Sequence, residues 1–155
     1  MKKILVYNKD RCTGCESCVL ACSFAHREKF SLTYSRIKIK KDEIHNEYTP
    51  SFCLQCAEHP CQDVCPVDAI YFDNLLSILV VNEEKCIGCG ACVETCPYNS
   101  IFMSPNKKAL KCDLCGGEPE CVKVCYPKAI EFVDINKENL IKSLENKIER
   151  IEVDR

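Results

Sequence analysis

Residues 86–97 read Cys-Ile-Gly-Cys-Gly-Ala-Cys-Val-Glu-Thr-Cys-Pro, four cysteines spaced C-x2-C-x2-C-x3-C and closed by a proline. The same spacing stands at Cys12, Cys15, Cys18 and Cys22. Two close variants complete the set. Cys53, Cys56, Cys61 and Cys65 follow C-x2-C-x4-C-x3-C and end in Pro66. Cys112, Cys115, Cys121 and Cys125 follow C-x2-C-x5-C-x3-C, with Pro127 one place further on. These quartets use all 16 cysteines of the 155-residue chain, so no thiol is left over for another purpose.

The repeat continues past the cysteines. Asp68-Ala69-Ile70, Asn99-Ser100-Ile101 and Lys128-Ala129-Ile130 follow their quartets at similar offsets, and each opens a short β-prone run. Each unit therefore reads as ligand loop, short helix, strand. Residues 69–72 and 77–81 flank a turn at Asp73-Asn74 and predict a hairpin, and 4–7 and 36–40 are further strands. The pattern predicts a small α+β protein assembled from ferredoxin-like units.

Composition narrows the class of site. A formal charge of −2 argues against nucleic acid or an anionic membrane surface. Met1-Lys2-Lys3 is followed by four apolar residues, too few for the core of a signal peptide. The longest apolar stretch, 75–81, contains Ser77 and is too short to span a bilayer. A cytoplasmic chain keeps its thiols reduced, so the cysteines are expected to be metal ligands rather than disulfides.

The spacing then chooses the metal. Zinc sites pair two C-x2-C units across a longer insert; they rarely place a third cysteine two residues on and a fourth after three more. An iron–sulfur cube needs four thiolates converging from different directions. C-x2-C-x2-C wraps three around one cube, and in the bacterial two-cluster arrangement the fourth cysteine ligates the neighbouring cluster. Four quartets imply four [4Fe–4S] clusters. At about −2 each they bring the formal −2 to about −10, a charge that backbone N–H groups and nearby cations must offset. Arg11, Lys85 and Lys111 each precede the first cysteine of a quartet and read mainly as solvated cations.

No G-x-G-x-x-G or G-x4-G-K-[ST] occurs, so no dinucleotide or phosphate loop is visible. The C-x3-C-x2-C spacing of radical S-adenosylmethionine enzymes is not met. His26 and His45 stand without a partner pattern. His59, beside Pro60 inside quartet two, reads as shaping its loop. Tyr98 and Tyr126 read as packing against a cluster. With every cysteine committed and no nucleophile–base set, the expectation is an electron carrier and not an enzyme.

The chain resembles the four-cluster iron–sulfur subunits of the dimethyl sulfoxide reductase and formate dehydrogenase class. It looks still more like the short members that accompany tungsten aldehyde oxidoreductases, class II benzoyl-CoA reductase and carbon monoxide dehydrogenase. The carrying residues are C-T-G-C-E-S-C-V-L-A-C-S at 12–23, S-R-I at 35–37, C-L-Q-C-A-E-H-P-C at 53–61, C-I-G-C-G-A-C at 86–92 and K-C-D-L-C-G-G-E-P-E-C-V-K-V-C at 111–125. The resemblance implies two interleaved two-cluster units, outer quartets paired and inner quartets paired, over residues 1–133. Unit A then takes about 1–35 with 105–133, and unit B about 50–104. It implies that Cys12, Cys15, Cys18 and Cys125 hold one cluster and Cys112, Cys115, Cys121 and Cys22 its neighbour. The inner clusters fall to Cys53, Cys56, Cys61 with Cys96, and to Cys86, Cys89, Cys92 with Cys65. It also implies a hetero-oligomer, with a catalytic oxidoreductase subunit of tungsten or molybdenum type as one partner and a ferredoxin or other redox protein as the other. A free polyferredoxin, or a coupling protein between carbon monoxide dehydrogenase and hydrogenase, is the alternative. Larger members carry C-terminal extensions and sometimes a membrane anchor; neither is expected here. Quartet one departs from the pattern, since Cys22 is followed by Ser23 and not by proline.

Residues 134–155 lie outside the repeat. Residues 137–151 hold no Gly or Pro and suit a helix, with Asn136 as N-cap. Ile141, Leu144, Ile148 and Ile151 form a stripe at 3-4-3 spacing. That stripe packs either on the chain's own body or on a partner, and the small body tilts the expectation towards a partner.

Overall fold

The computed structural model describes residues 3–153, without the side chains of residues 137 and 147–153. Among the described residues, four two-stranded antiparallel ribbons carry the strands. Strand β1 (Lys3–Tyr7) pairs with the last strand, β8 (Ile130–Asp134), in a register running from Lys3 opposite Asp134 to Tyr7 opposite Ile130. The two ends of the repeat region are thus sewn together. Strands β4 (Ile70–Asp73) and β5 (Ile78–Val81) form the expected hairpin. Asp73 still pairs with Ile78, so the loop is 74–77, a little beyond the expected Asp73-Asn74 turn. Asp73 Oδ1 starts it by accepting from the amides of Leu75 (2.8 Å) and Leu76 (3.0 Å). Strands β6 (Phe102–Met103) and β7 (Ala109–Leu110) make the shortest ribbon.

Strand β2 (Ile37–Asp42) pairs with β3 (Glu47–Phe52), a strand the sequence pattern did not announce. Pro50 lies inside β3 opposite Ile39. A two-stranded ribbon tolerates proline because each strand keeps one edge outside the ladder.

The helices divide by the residues just after the fourth cysteine. Helices α2 (Pro60–Asp63), α3 (Ala91–Glu94) and α4 (Glu120–Lys123) are one turn each and stop before the cysteine near Pro66, Pro97 and Pro127. The residue ahead of a proline is pushed out of the helical region. Quartet one has no such stop, and α1 (Ser17–Arg27) runs for 11 residues with Cys18 and Cys22 on it. The different exit expected from Ser23 is a longer helix.

Two buried clusters make the core. The first gathers Leu5, Tyr7, Val19, Ile37, Phe52, Ile78, Val80, Leu114 and Ile130 around Cys18, Cys22 and Cys121. Tyr7 and Phe52 meet edge to face with ring centroids 6.1 Å apart. The second gathers Ala69, Ile70, Leu79, Ile101 and Ala109 around Cys61, Cys86 and Cys92. Strand β5 feeds both by its two-residue period: Ile78 and Val80 enter one, Leu79 the other.

Helix α5 (Lys137–Val153) starts where expected, with Asn136 Oδ1 accepting from the Asn139 amide at 2.8 Å. It docks on the body, but not by the apolar stripe. The turned-in positions are Asn139, Lys142, Ser143 and Asn146, a polar i, i+3, i+4, i+7 face, while Ile141 (49 %) and Leu144 (55 %) are exposed. Lys142 Nζ reaches Glu131 at 3.0 Å, and Asn146, 4 % exposed, bonds to the backbone of Tyr7. The helix packs in cis, and by the face opposite the apolar stripe. Ile148 and Ile151 fall outside the described side chains. Among the described residues no helix is long and apolar enough to cross a membrane.

Candidate metal centres

The fold brings the sixteen cysteines into four groups. One cavity is lined by Cys12, Cys15, Cys18 and Cys125. A second is lined by Cys53, Cys56, Cys61 and Cys96. A third is lined by Cys65, Cys86, Cys89 and Cys92. Cys112, Cys115, Cys121 and Cys22 form the fourth group; Cys121 is pushed up by burial and then by the charges of Cys112, Cys115, Cys22 and Cys18. In every group three cysteines of one quartet meet the last cysteine of another, because the helix that follows each loop directs the chain, and with it that last residue, towards the neighbouring group.

The groups also adjoin one another in a row. Cys121 of the fourth group feels Cys18 of the first, and Cys112 feels Cys53 of the second. The second and third groups share a core cluster through Cys61, Cys65, Cys92 and Cys96. Cys15 and Cys89, one in each terminal group of the row, are the exposed cysteines.

The donor set fits a metal cluster and fits little else. Burial pushes the Cys18 thiol up to about 12 and those of Cys61 and Cys92 to about 11. A thiol so placed keeps its proton unless a metal takes the proton's place, and a coordinating thiol is deprotonated outright. The cavity walls are otherwise largely apolar, such as Val67, Ala69, Ile70 and Val81 in the third, which keeps water from competing for iron.

The second repeated element, Asp-Ala-Ile and its kin, proves to serve the sulfurs. The amide of Ala69 donates to Cys65 Sγ at 3.2 Å, that of Ser100 to Cys96 Sγ at 3.4 Å, and that of Ala129 to Cys125 Sγ at 3.2 Å. Each donor lies four residues after its cysteine, behind a residue in the left-handed region: Asp68 (φ 47°), Asn99 (φ 43°) and Lys128 (φ 52°). Asp and Asn tolerate that region better than most; Lys128 is held there by its surroundings. The following isoleucines, 70, 101 and 130, are buried at 2–3 % and anchor the turn.

Cys22 cannot use this device, because α1 continues through it. Its sulfur accepts instead from the amide of Arg36 at 3.3 Å, a residue of the Ser-Arg-Ile stretch. Ser35, fully buried, shapes that stretch by donating to Ile37 O (2.8 Å) and accepting from the Ile37 amide (3.2 Å). The Arg36 guanidinium pairs with Asp113 and with Glu83 (3.4 Å), and Arg27 pairs with Glu83 as well. Its Nε is buried without a partner. His26 is not alone either: Nε2 meets Asp113 at 3.0 Å, and Nδ1 lies 2.7 Å from Cys22 O and 3.9 Å from Cys22 Sγ. Burial lowers the His26 affinity for a proton, but Asp113 and Cys22 outweigh it and raise the imidazole to about 9. Burial likewise disfavours the Cys22 thiolate, yet His26 and the Arg36 amide hold its thiol below the ordinary value.

His59 shapes its loop as expected: at φ 49° it precedes α2 and lines the second cavity. Tyr98 lines the same cavity, but Tyr126 is 97 % exposed and packs on nothing. Arg11 and Lys85 are solvent-facing, whereas Lys111 is 2 % exposed and lines the second cavity. Gln55 joins that wall, donating from Nε2 to Cys112 O at 2.9 Å. Nothing in local spacing separates Lys111 from Lys85.

Two matches to 4Fe-4S dicluster domain models cover residues 4–66 and 44–135. The chain belongs to the 4Fe-4S dicluster ferredoxins, and it is an iron–sulfur electron-transfer protein carrying four [4Fe–4S] clusters. Among its relatives, an uncharacterized ferredoxin of Methanocaldococcus jannaschii is 41 % identical over 138 residues, 88 % of this chain and 75 % of that protein. The polyferredoxin-like subunit of an aliphatic sulfonate oxidoreductase of Pyrococcus furiosus is 38 % identical over 123 residues, 79 % of this chain and 70 % of that protein. A chain of the active-site complex BamBC of benzoyl coenzyme A reductase superposes with a TM-score of 0.51 at 25 % identity, covering 96 % of this chain and 90 % of that one.

Proposed function

We propose that this chain is the iron–sulfur subunit of a larger oxidoreductase of tungsten or molybdenum type. It links a catalytic subunit to a ferredoxin or another redox protein. The observation that carries the reading is the row of four cysteine groups whose exposed thiols, Cys15 and Cys89, lie in the two terminal groups. A row with two accessible ends suits a fixed path between two partners; a diffusing carrier needs one or two sites. The name of the Pyrococcus furiosus relative supports membership of a complex.

In this reading each group's cysteines are one ligand set: Cys12, Cys15, Cys18, Cys125; Cys22, Cys112, Cys115, Cys121; Cys53, Cys56, Cys61, Cys96; and Cys65, Cys86, Cys89, Cys92. Unit A is then about 1–35 with 105–133, unit B about 50–104, and 134–155 an appended helix and tail. Bound [4Fe–4S] clusters supply reversible one-electron chemistry. The chain's own residues fix where that chemistry occurs. Amides of Ala69, Ser100, Ala129 and Arg36 place partial positive charge on sulfur, and the apolar walls exclude water. A cytoplasmic setting, which keeps thiols reduced, suits sixteen cysteines held for ligation.

Anaerobic purification from the native source tests the assignment. Co-elution with a tungsten- or molybdenum-containing subunit is the expected result. Migration as a free species of 17.6 kDa would sink it and favour the free polyferredoxin.

A further inference from the structure

Lys111 is the one buried Lys, Arg, Asp or Glu among the described residues, at 2 % exposure. Its Nζ donates to Leu79 O at 2.7 Å and to Gln55 Oε1 at 2.9 Å. Gln55 sits between Cys53 and Cys56 and donates to Cys112 O at 2.9 Å, while its Oε1 also accepts from the Leu79 amide at 3.2 Å. Lys111 precedes Cys112 in the chain, so these bonds close a ring across the junction of the second and fourth cysteine groups. At that junction Cys53 and Cys112 are neighbours.

A neutral side chain could make such a tie. An ammonium is costly to bury unless an anion balances it. Both acceptors of Lys111 are uncharged, and among the described residues no carboxylate forms an ion pair with it. The anion in reach is the cysteine group whose cavity it lines. Burial pushes the Cys61 thiol up, and the charge of Lys111 pulls it the other way. Arg11 and Lys85 hold the same place in their quartets but face solvent, where charge is screened.

We propose that Lys111, held by Gln55 and Leu79, is a positioning residue. It keeps a fixed positive charge against the cluster of Cys53, Cys56, Cys61 and Cys96 and raises that cluster's reduction potential above what its ligands alone would set. An arriving electron adds one negative charge there, and the buried ammonium stabilises it without rearrangement. The interior of the row then contains a resting place for an electron between two accessible ends. This inference rests on the ligand sets given above.

Redox titration of the full chain, purified anaerobically and followed by electron paramagnetic resonance, tests it. Lys111→Met should shift one of the four midpoint potentials negative, changing that cluster's reduced-to-oxidised ratio at fixed potential about tenfold, or ~59 mV for a one-electron couple. The shifted signal should be the one perturbed by Cys61→Ser. Lys111→Arg should restore most of the potential. Gln55→Glu, which sets a carboxylate against the ammonium, should shift the same signal in the same direction. Iron near sixteen per chain with four unmoved potentials in Lys111→Met overturns the proposal. If Lys111→Met loses iron, Gln55→Glu decides, and unmoved potentials there overturn it. Loss of iron in Lys111→Met, Lys111→Arg and Gln55→Glu alike also overturns it, in favour of a purely structural tie. An iron content in the wild-type chain far from about sixteen would instead remove the cluster reading itself.

Discussion

Asn146 holds Tyr7 the way a neighbouring strand would: its Oδ1 accepts from the Tyr7 amide at 3.0 Å and its Nδ2 donates to the Tyr7 carbonyl at 2.9 Å. The Tyr7 hydroxyl returns a bond to Asn146 O at 3.3 Å. A single amide side chain offers both a donor and an acceptor, so it can cap one residue of a strand edge. Asn146→Ala should cost about 1–3 kcal/mol of helix docking. Amide hydrogen exchange along 137–146 should speed up while iron content stays unchanged. Unchanged exchange would show that the helix is held by something else.

Gly88 is fixed more severely than Gly14, although both occupy the x-Gly-Cys step of a ligand loop. At φ +73° a Cβ on Gly88 would meet Lys107 O at 2.1 Å; at φ +67° the nearest atoms to one on Gly14 belong to the Tyr48 ring, from 2.6 Å. Either alanine pays ~1–2 kcal/mol for the left-handed backbone. A ring can swing aside and a backbone carbonyl cannot. Gly88→Ala is expected to lose about four iron per chain, and Gly14→Ala to retain most of the ~16. Equal iron contents would contradict this.

Cys22→Ser should disturb the cluster assigned to Cys112, Cys115 and Cys121, although Cys22 belongs to the first quartet by sequence. Electron paramagnetic resonance of the reduced variant reads this. Loss confined to the cluster of Cys12, Cys15 and Cys18 would refute the crossed assignment.

Metal removal should unfold the chain. Both buried clusters are built around cysteines, and four thiolates drawn together without iron repel one another. The apolar side chains packed around those cysteines then lose their shared centre, so metal binding is largely folding energy. A chelated, reduced sample should show no cooperative thermal transition by circular dichroism; a sharp one would refute the claim.

Much of this fold is legible in the residues themselves. Cysteine spacing and the proline stops encode local geometry, so the four loops, their short helices and the different exit of α1 can be read from the chain alone. The features that escape such a reading depend on contacts distant in sequence. Pro50 hides β3 because its tolerance comes from the ribbon's free edge. Lys85 and Lys111 look alike until Gln55, 56 residues from Lys111, arrives beside one of them. The α5 stripe points correctly to one face of a helix, but polar bonds to β1 and β8 choose the other. Arg36 is visible only as part of a motif, with no hint that its amide replaces a missing turn.

The sulfur-capping turns have a consequence for how this chain could be lengthened. In quartets two, three and four the third cysteine, the fourth cysteine and the amide donor stand at fixed steps of four: 61, 65, 69; 92, 96, 100; 121, 125, 129. Between the second and third cysteines the same quartets admit four, two and five residues. Each unit therefore has one elastic span and one rigid span. The rigid span passes between two cavities and has no slack; the elastic one can take up extra residues without disturbing a sulfur. A loop grafted into the elastic span, such as an affinity tag or a recognition peptide, would leave all four sets of thiols in place.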